Sequence, residues 1–392
     1  MPNSKIAEAV EICRLFHKKQ VAHSKLNDAF ETLSWVIQEE PENVEELHLL
    51  VGPSGSGKTT LMKRLEADIF SRYKAEMEAD PGMIPVIYAQ LTAPQDGNFN
   101  WKDFFSRLLE NYNEILIRKK VILHPEAFLD GEVISTIRSL VREELRRAVR
   151  NSFSFRKTKF LLLDEAGHLL ITKSSIPARF QFEIIKSIAQ ELHIPIILSG
   201  DYSLLKILDL NGQLTRRTEV VHFSRYLAEE LSQENNRHGK SFMNAVFTLL
   251  AAMPVQKEED LISHIDYFFA HSMGVIGILK KWLKRALWKT LMSEQCILTR
   301  DILNSTRISN KALKLMIAEA KLGEAQLRDI DDKDIAGELG LEITPSLDVV
   351  TGNFLFGEPQ DKPTKNKAPK GQKHPGKRTP SRDPVGGIPY AT

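Results

Sequence analysis

The stretch GPSGSGKTT (Gly52 to Thr60) carries the spacing G-x-x-x-x-G-K-[ST]. Glycines at those places let backbone N–H groups converge on phosphate oxygens, and a helix starting behind them adds a favourable dipole. The pattern follows an apolar run, ELHLLVG, and precedes a helical one, which is the context it requires. Gly52, Pro53, Ser54, Gly55, Ser56, Gly57, Lys58, Thr59 and Thr60 are therefore expected to bind ATP. Lys58 should reach the β- and γ-phosphates, and Thr59 should bind Mg²⁺.

A second stretch, FLLLDEAGHLL, delivers Asp164 and Glu165 to the end of an apolar strand. Ligands of open α/β sheets sit at that edge. Asp164 is expected in the magnesium shell, and Glu165 is expected to orient or deprotonate the attacking water. An acidic pair can also simply cap a buried strand. The run IPIILSG ends on Ser199, which can hydrogen-bond the water or γ-phosphate, or serve as an ordinary turn residue. Finally, QLTRRTEVVHF sets Arg216 and Arg217 ahead of a β-branched run. They suit a solvated loop, or a charge aimed at a phosphate held by another subunit.

These residues need a scaffold. ELHLLVG, IPVIYAQL, KFLLLDEA, IPIILSG and EVVHF read as five strands, with helical patterns over 58–79, 101–120, 132–150 and 178–192. Strands apolar throughout, alternating with helices, argue for a parallel sheet covered on both faces. Residues 5–38 carry helical spacing up to Pro41. From about Tyr226 to Leu322 strands vanish and helical patterns dominate. The segment after Asn353 is rich in Pro, Gly and Lys and is expected to be disordered. From Asp361 on it holds eight Lys/Arg against two Asp, a charge of 8 − 2 = +6. The expected division is an N-terminal helical segment (1–44), an α/β ATPase core (45–225), a helical lid (226–325), an extension (326–360) and a basic tail (361–392).

The order of phosphate loop, Asp-Glu strand, polar strand tip, paired arginines and helical lid resembles an AAA+ ATPase. Within that superfamily the chain is similar to the TniB/TnsC transposition regulators. DEAGHLL (Asp164 to Leu170) is similar to the family's Asp-Glu…His…Leu continuation. Met253 to Leu287 is similar to its lid, with Ser272, Gly274, Ile276, Gly277 and Leu279 in a Ser-x-Gly-x-Ile-Gly-x-Leu segment. The resemblance covers roughly Glu45 to Ile308. It implies an α/β AAA+ P-loop fold with a five-stranded parallel sheet, a small helical lid and a disordered basic tail. It also implies an ATP-dependent adaptor that binds double-stranded DNA. Such a protein assembles head-to-tail into rings or filaments and links a target-selection protein to a transposase. In such assemblies Arg216 or Arg217 would act in trans as an arginine finger. Many AAA+ lids place a nucleotide-touching arginine at the start of their last helix. Here that turn reads Gly274-Val275-Ile276-Gly277, with Lys280 and Lys281 a turn later.

The chain has 392 residues, 42% hydrophobic and 27% charged, with a formal net charge of +2. At so small a net charge, DNA contact must come from local patches. Arg118, Lys119 and Lys120 form one, and Arg138, Arg142, Arg146, Arg147 and Arg150 another on a helix. Lys119, Lys120 and Arg138 are the DNA candidates; a solvated helix face balanced by Glu143 and Glu144 is the plain alternative. No apolar run approaches a membrane helix, no secretory core opens the chain, and two distant cysteines suggest no disulfide framework. A reducing cytoplasm and no membrane are therefore expected. Two other readings stay open: another AAA+ DNA machine such as an initiator or helicase loader, and a nucleotide-gated scaffold without DNA. The helical stretch 298–322 is short for an initiator's winged helix.

Overall fold

In the computed structural model the five apolar stretches pair as one parallel sheet. The structure describes residues 2–38, 47–94, 97–112, 131–171, 178–210, 218–328 and 338. The strands are β1 (Leu47–Val51), β2 (Val86–Gln90), β3 (Phe160–Asp164), β4 (Ile196–Gly200) and β5 (Thr218–His222), in the order β2-β3-β4-β1-β5. β1, β3 and β4 are buried along their whole length. That is why their sequences do not alternate: both faces meet apolar side chains.

Side chains still alternate between the two faces. Leu49, Ile87, Ala89, Leu161, Leu163, Ile196 and Leu198 point to one core. There they meet α5 (Trp101–Asn111), α6 (Gly131–Phe155) and α7 (Ala178–Leu192). Leu50, Val86, Phe160, Leu162, Ile197 and Val221 point to the other, against α2 (Ser24–Gln38) and α3 (Lys58–Arg72). Asn100 caps α5 by accepting the Asp103 N–H at 3.1 Å, one of the orphan donors of a first helical turn.

The helical run expected over 58–79 breaks at Tyr73 into α3 and a six-residue α4 (Lys74–Ala79). The helix expected over 101–120 ends at Asn111, with Tyr112 as its C-cap, and 113–120 lie outside the described residues. The C-terminal part is helical, built from Arg237–Ala251, Ile265–Ser272, Ile276–Met292, Arg300–Thr306 and Asn310–Gln326. Strands do not vanish there: Gln256–Lys257 and Ile297–Leu298 form a small parallel pair. Two residues are too short to leave a period in the sequence.

A third core fills this helical part around Trp282, Phe242, Phe268 and Leu283. α1 (Pro2–Lys18) contributes Cys13 and Phe16 to it. The last described helix turns back, placing Leu313 and Ala320 in the core under the sheet. Arg225 ties that helix down through a two-pronged pair with Glu324, at 2.7 and 3.0 Å. The chain divides into Met1–Asp329 and Ile330–Thr392. The expected extension and basic tail lie outside the described residues, apart from Gln326, Leu327, Arg328 and Glu338.

Candidate nucleotide site

β1 runs directly into the loop Gly52–Gly57, and α3 begins at Lys58. Gly57 sits at φ 112°, a left-handed conformation that a side chain disfavours. The turn lets α3 start beneath the loop. Ser54, Thr59 and Thr60 are exposed, whereas Gly52, Pro53 and Ser56 are buried. The Ser56 hydroxyl finds no hydrogen-bond partner among the described residues.

Lys58 Nζ donates to the carbonyls of Gly52 at 2.8 Å and Pro53 at 2.9 Å. Burial holds its ammonium below the ordinary lysine range, and the carboxylates of Asp201, Glu165 and Asp164 oppose that shift. The lysine head therefore stands amid three acidic groups.

Thr59 Oγ1 donates to Asp164 Oδ2 at 2.7 Å. The two motifs, 105 residues apart, thus meet at a single oxygen. Asp164 is 2% exposed and its Oδ1 accepts the Glu165 N–H at 2.9 Å. Tyr88 also donates to Oδ2, at 3.0 Å. Burial first, then the Asp164 charge, raises the Tyr88 phenol above its usual range, so it stays a donor. Among the described residues no three His, Cys, Asp or Glu side chains cluster as a metal cage. One hydroxyl beside one carboxylate is a hard-oxygen pair that suits Mg²⁺, which takes its other ligands from phosphates and water. The residues present fit that ion.

Glu165 is exposed and left-handed, at φ 56°. Its backbone turns the chain out of β3 into the short 3₁₀ segment Ala166–Leu170. His168 on that segment donates from Nδ1 to the Leu91 carbonyl at 2.9 Å, tying it to the end of β2. Ser199 is fully buried within β4, and its hydroxyl finds no hydrogen-bond partner among the described residues. It is not the strand tip: Gly200 ends β4, and the exposed polar residue beyond is Asp201. Sequence reading missed Asp201 and Tyr88. An acid directly after a strand-ending glycine was the available signal for Asp201.

A cavity of about 870 Å³ flanks the phosphate loop. The α1–α2 connection lines it with Gln20 and His23, α2 with Asn27, α3 with Thr59 and Lys63, and the helix Ile276–Met292 with Gly277. Gly277 packs so closely on the loop that a Cβ there would collide with the Gly55 carbonyl oxygen. Gly274, at φ 74°, likewise leaves no room for a side chain beside the Tyr226 carbonyl. Lys280 lines the cavity and donates to the His17 carbonyl at 2.8 Å. Lys281 is exposed.

Arg216, Arg217, Arg118, Lys119 and Lys120 lie outside the described residues. Arg138 lies on α6, and its side chain is likewise outside them. Further along α6, Arg146 is engaged by Glu191 at 2.6 Å and Ser187 at 2.7 Å, and Arg147 by Glu144 at 3.0 Å. No helix among the described residues is long and apolar enough to cross a membrane.

Residues 43–208 match the family model described as an AAA domain. That part of the chain is an AAA-type P-loop ATPase domain, and the fold is the AAA+ P-loop fold with a helical C-terminal part. No curated protein matches the chain significantly. Among solved structures, the ORC2 protein of Aeropyrum pernix in ADPNP–ADP complexes is 14% identical. The match covers 83% of this chain and 82% of that one, at a TM-score of 0.47. A Walker-type ATPase of Pyrococcus abyssi is 16% identical over 80% of each chain, at a TM-score of 0.43.

Proposed function

We propose that this chain is an ATP-dependent, DNA-binding regulator of DNA transposition that assembles on target DNA and hydrolyses ATP to disassemble. The observation that carries the nucleotide part is the Thr59–Asp164 contact at 2.7 Å, with Glu165 exposed beside it. Lys58 exchanges the Gly52 and Pro53 carbonyls for phosphate oxygens. The cavity beside Gly277 takes the nucleoside. Thr59 and Asp164 hold Mg²⁺, which when bound neutralises charge on the phosphates. Glu165 orients the attacking water. Arg216 or Arg217 completes the site from a neighbouring copy.

The transposition part rests on the resemblance of the lid segment. Its glycines have physical work here: Gly274 and Gly277 seat the helical part against Tyr226 and the phosphate loop. The DNA part is supported by the stretch Arg146 to Lys159, which holds six basic residues and no acidic one.

The test images the protein by electron microscopy with duplex DNA and a non-hydrolysable ATP analogue, beside binding isotherms at low salt. Rings or filaments threaded by duplex are expected, and Arg216→Ala or Arg217→Ala should abolish them while ATP still binds. A protein that ignores duplex DNA at low salt with ATP present sinks the transposition reading and leaves the nucleotide-gated scaffold.

A further inference from the structure

Strand register puts an unassigned residue behind the Asp164 carboxylate. β2 and β3 pair with Tyr88 opposite Leu162 and Gln90 opposite Asp164. Alternation then sends Tyr88, Leu162 and Asp164 to the same face, the one covered by α3. Asp164 is the diagonal neighbour of Tyr88, and that spacing, about 7–8 Å, is within reach of an aromatic side chain. The phenol closes the gap, donating to Asp164 Oδ2 at 3.0 Å. Beneath it, Asn111 Nδ2 donates to the Tyr88 carbonyl at 3.0 Å.

Counting donors shows what this does. A carboxylate oxygen offers two lone pairs. Asp164 Oδ2 has both filled, by the hydroxyls of Thr59 and Tyr88. Oδ1 has one filled, by the Glu165 N–H. Three donors on two oxygens fix the carboxylate's rotation and leave one lone pair of Oδ1 open. Because Thr59 donates its proton to Oδ2, its own lone pairs are left for a cation.

We propose that Tyr88 is a positioning residue for the metal shell: its hydroxyl holds Asp164 in the one orientation that shares Thr59 and presents Oδ1. The proposal rests on the nucleotide reading above. In this role Tyr88 acts through Asp164 and not on the ion itself. Removing the hydroxyl frees a lone pair on Oδ2 and lets the carboxylate turn.

The experiment uses the full chain and a fluorescent, non-hydrolysable ATP analogue titrated at increasing Mg²⁺. In Tyr88→Phe the half-saturating Mg²⁺ should rise about tenfold to a hundredfold, the usual effect of losing an outer-shell partner. A purely structural role would instead lower the affinity measured in chelator and leave the Mg²⁺ midpoint in place. Equal Mg²⁺ midpoints for wild type and Tyr88→Phe overturn the proposal. A double variant gives a second reading: Tyr88→Phe added to Asp164→Asn should cost nothing further in Mg²⁺ dependence. Additive losses would show that Tyr88 does not act through Asp164. If the wild type itself binds no nucleotide at any Mg²⁺, the nucleotide reading fails, and this proposal goes with it.

Discussion

At the scale of single residues, Glu165 combines backbone strain with exposure next to a buried carboxylate. A left-handed non-glycine residue costs on the order of 1–3 kcal/mol and persists where surrounding structure holds it. Here β3 and the segment tied by His168 hold it on both sides. Glu165→Gln should keep ATP binding and lower turnover by about 10²–10⁴-fold, the range for a lost general base. Glu165→Gly should lose turnover as well but melt higher, by the equivalent of about 1 kcal/mol. Paired turnover assays and calorimetry check both; a Glu165→Gln protein with wild-type turnover removes Glu165 from the mechanism. His23 offers a different residue-scale test. It is 7% exposed, stacks on Phe223 and meets the Tyr226 hydroxyl at 3.2 Å. Burial pushes its pKa down to about 4, and only Asp28 opposes this; Asp28 itself faces Arg237 and His238. Between that value and the ordinary 6.5, the unfolded chain binds a proton that the folded chain excludes. Stability therefore falls as pH drops through this window, by about 2 kcal/mol from pH 6.5 to pH 5. Urea melts at both ends should show that loss in the wild type and a smaller one in His23→Phe. An unchanged pH dependence in the variant would place the loss elsewhere.

At the scale of elements, the phosphate loop and the helix Ile276–Met292 touch backbone to backbone. Gly277→Ala would drive a methyl into the Gly55 carbonyl, and backbone cannot swing aside as a side chain can. Overpacking of this kind costs about 1–3 kcal/mol, and here it presses directly on the loop. The variant should melt lower and bind ATP more weakly, both read by thermal shift with and without nucleotide. Equal nucleotide shifts in variant and wild type would mean that the contact is structural padding. The same contact shows where sequence reading stops. Thr59 and Asp164 were named from short local patterns, each carrying its chemistry within a few residues, and they stand 2.7 Å apart. The five strands were legible because burial on both faces writes long apolar runs. Tyr88 was not legible: its role comes from a register with β3, 76 residues away from Asp164. The sequence alone puts Ser199 at a strand tip, because an apolar run does not show where the sheet ends; Gly200 still pairs with Val51. Nor could periodicity show that Phe16 shares a core with Trp282, or that the last described helix returns to the sheet. Those contacts are set by packing between surfaces distant in the chain.

At the scale of the whole molecule, the proposed function needs two separate surfaces, one for nucleotide and one for DNA. The nucleotide site gathers at the C-terminal ends of the strands, where Asp164, Glu165 and Asp201 lie. The uninterrupted basic stretch lies at the opposite edge, where α6 ends and β3 begins. There Arg150, Lys157 and Lys159, with His193, line a recess of about 470 Å³ that also holds Glu191, the partner of Arg146. Lys157 is partly neutralised by Asp80 at 2.7 Å, which leaves Arg150 and Lys159 as the clearer probes. With a net charge of only +2, attraction to DNA must come from local patches, and each patch that meets phosphates adds its own share of the salt dependence. Each phosphate contact contributes about 0.9 to the slope of log affinity against log salt. If this edge meets the DNA backbone, Arg150→Ala with Lys159→Ala should reduce that slope by about 2 and weaken all duplex sequences alike. ATP affinity of the variant should be unchanged, because the sheet's full length separates the two edges. Duplex binding isotherms across a salt series, with ATP analogue present throughout, give the slope directly. An unaltered slope would move DNA contact away from this edge, toward the candidates Lys119, Lys120 and Arg138 on the segment between β2 and β3.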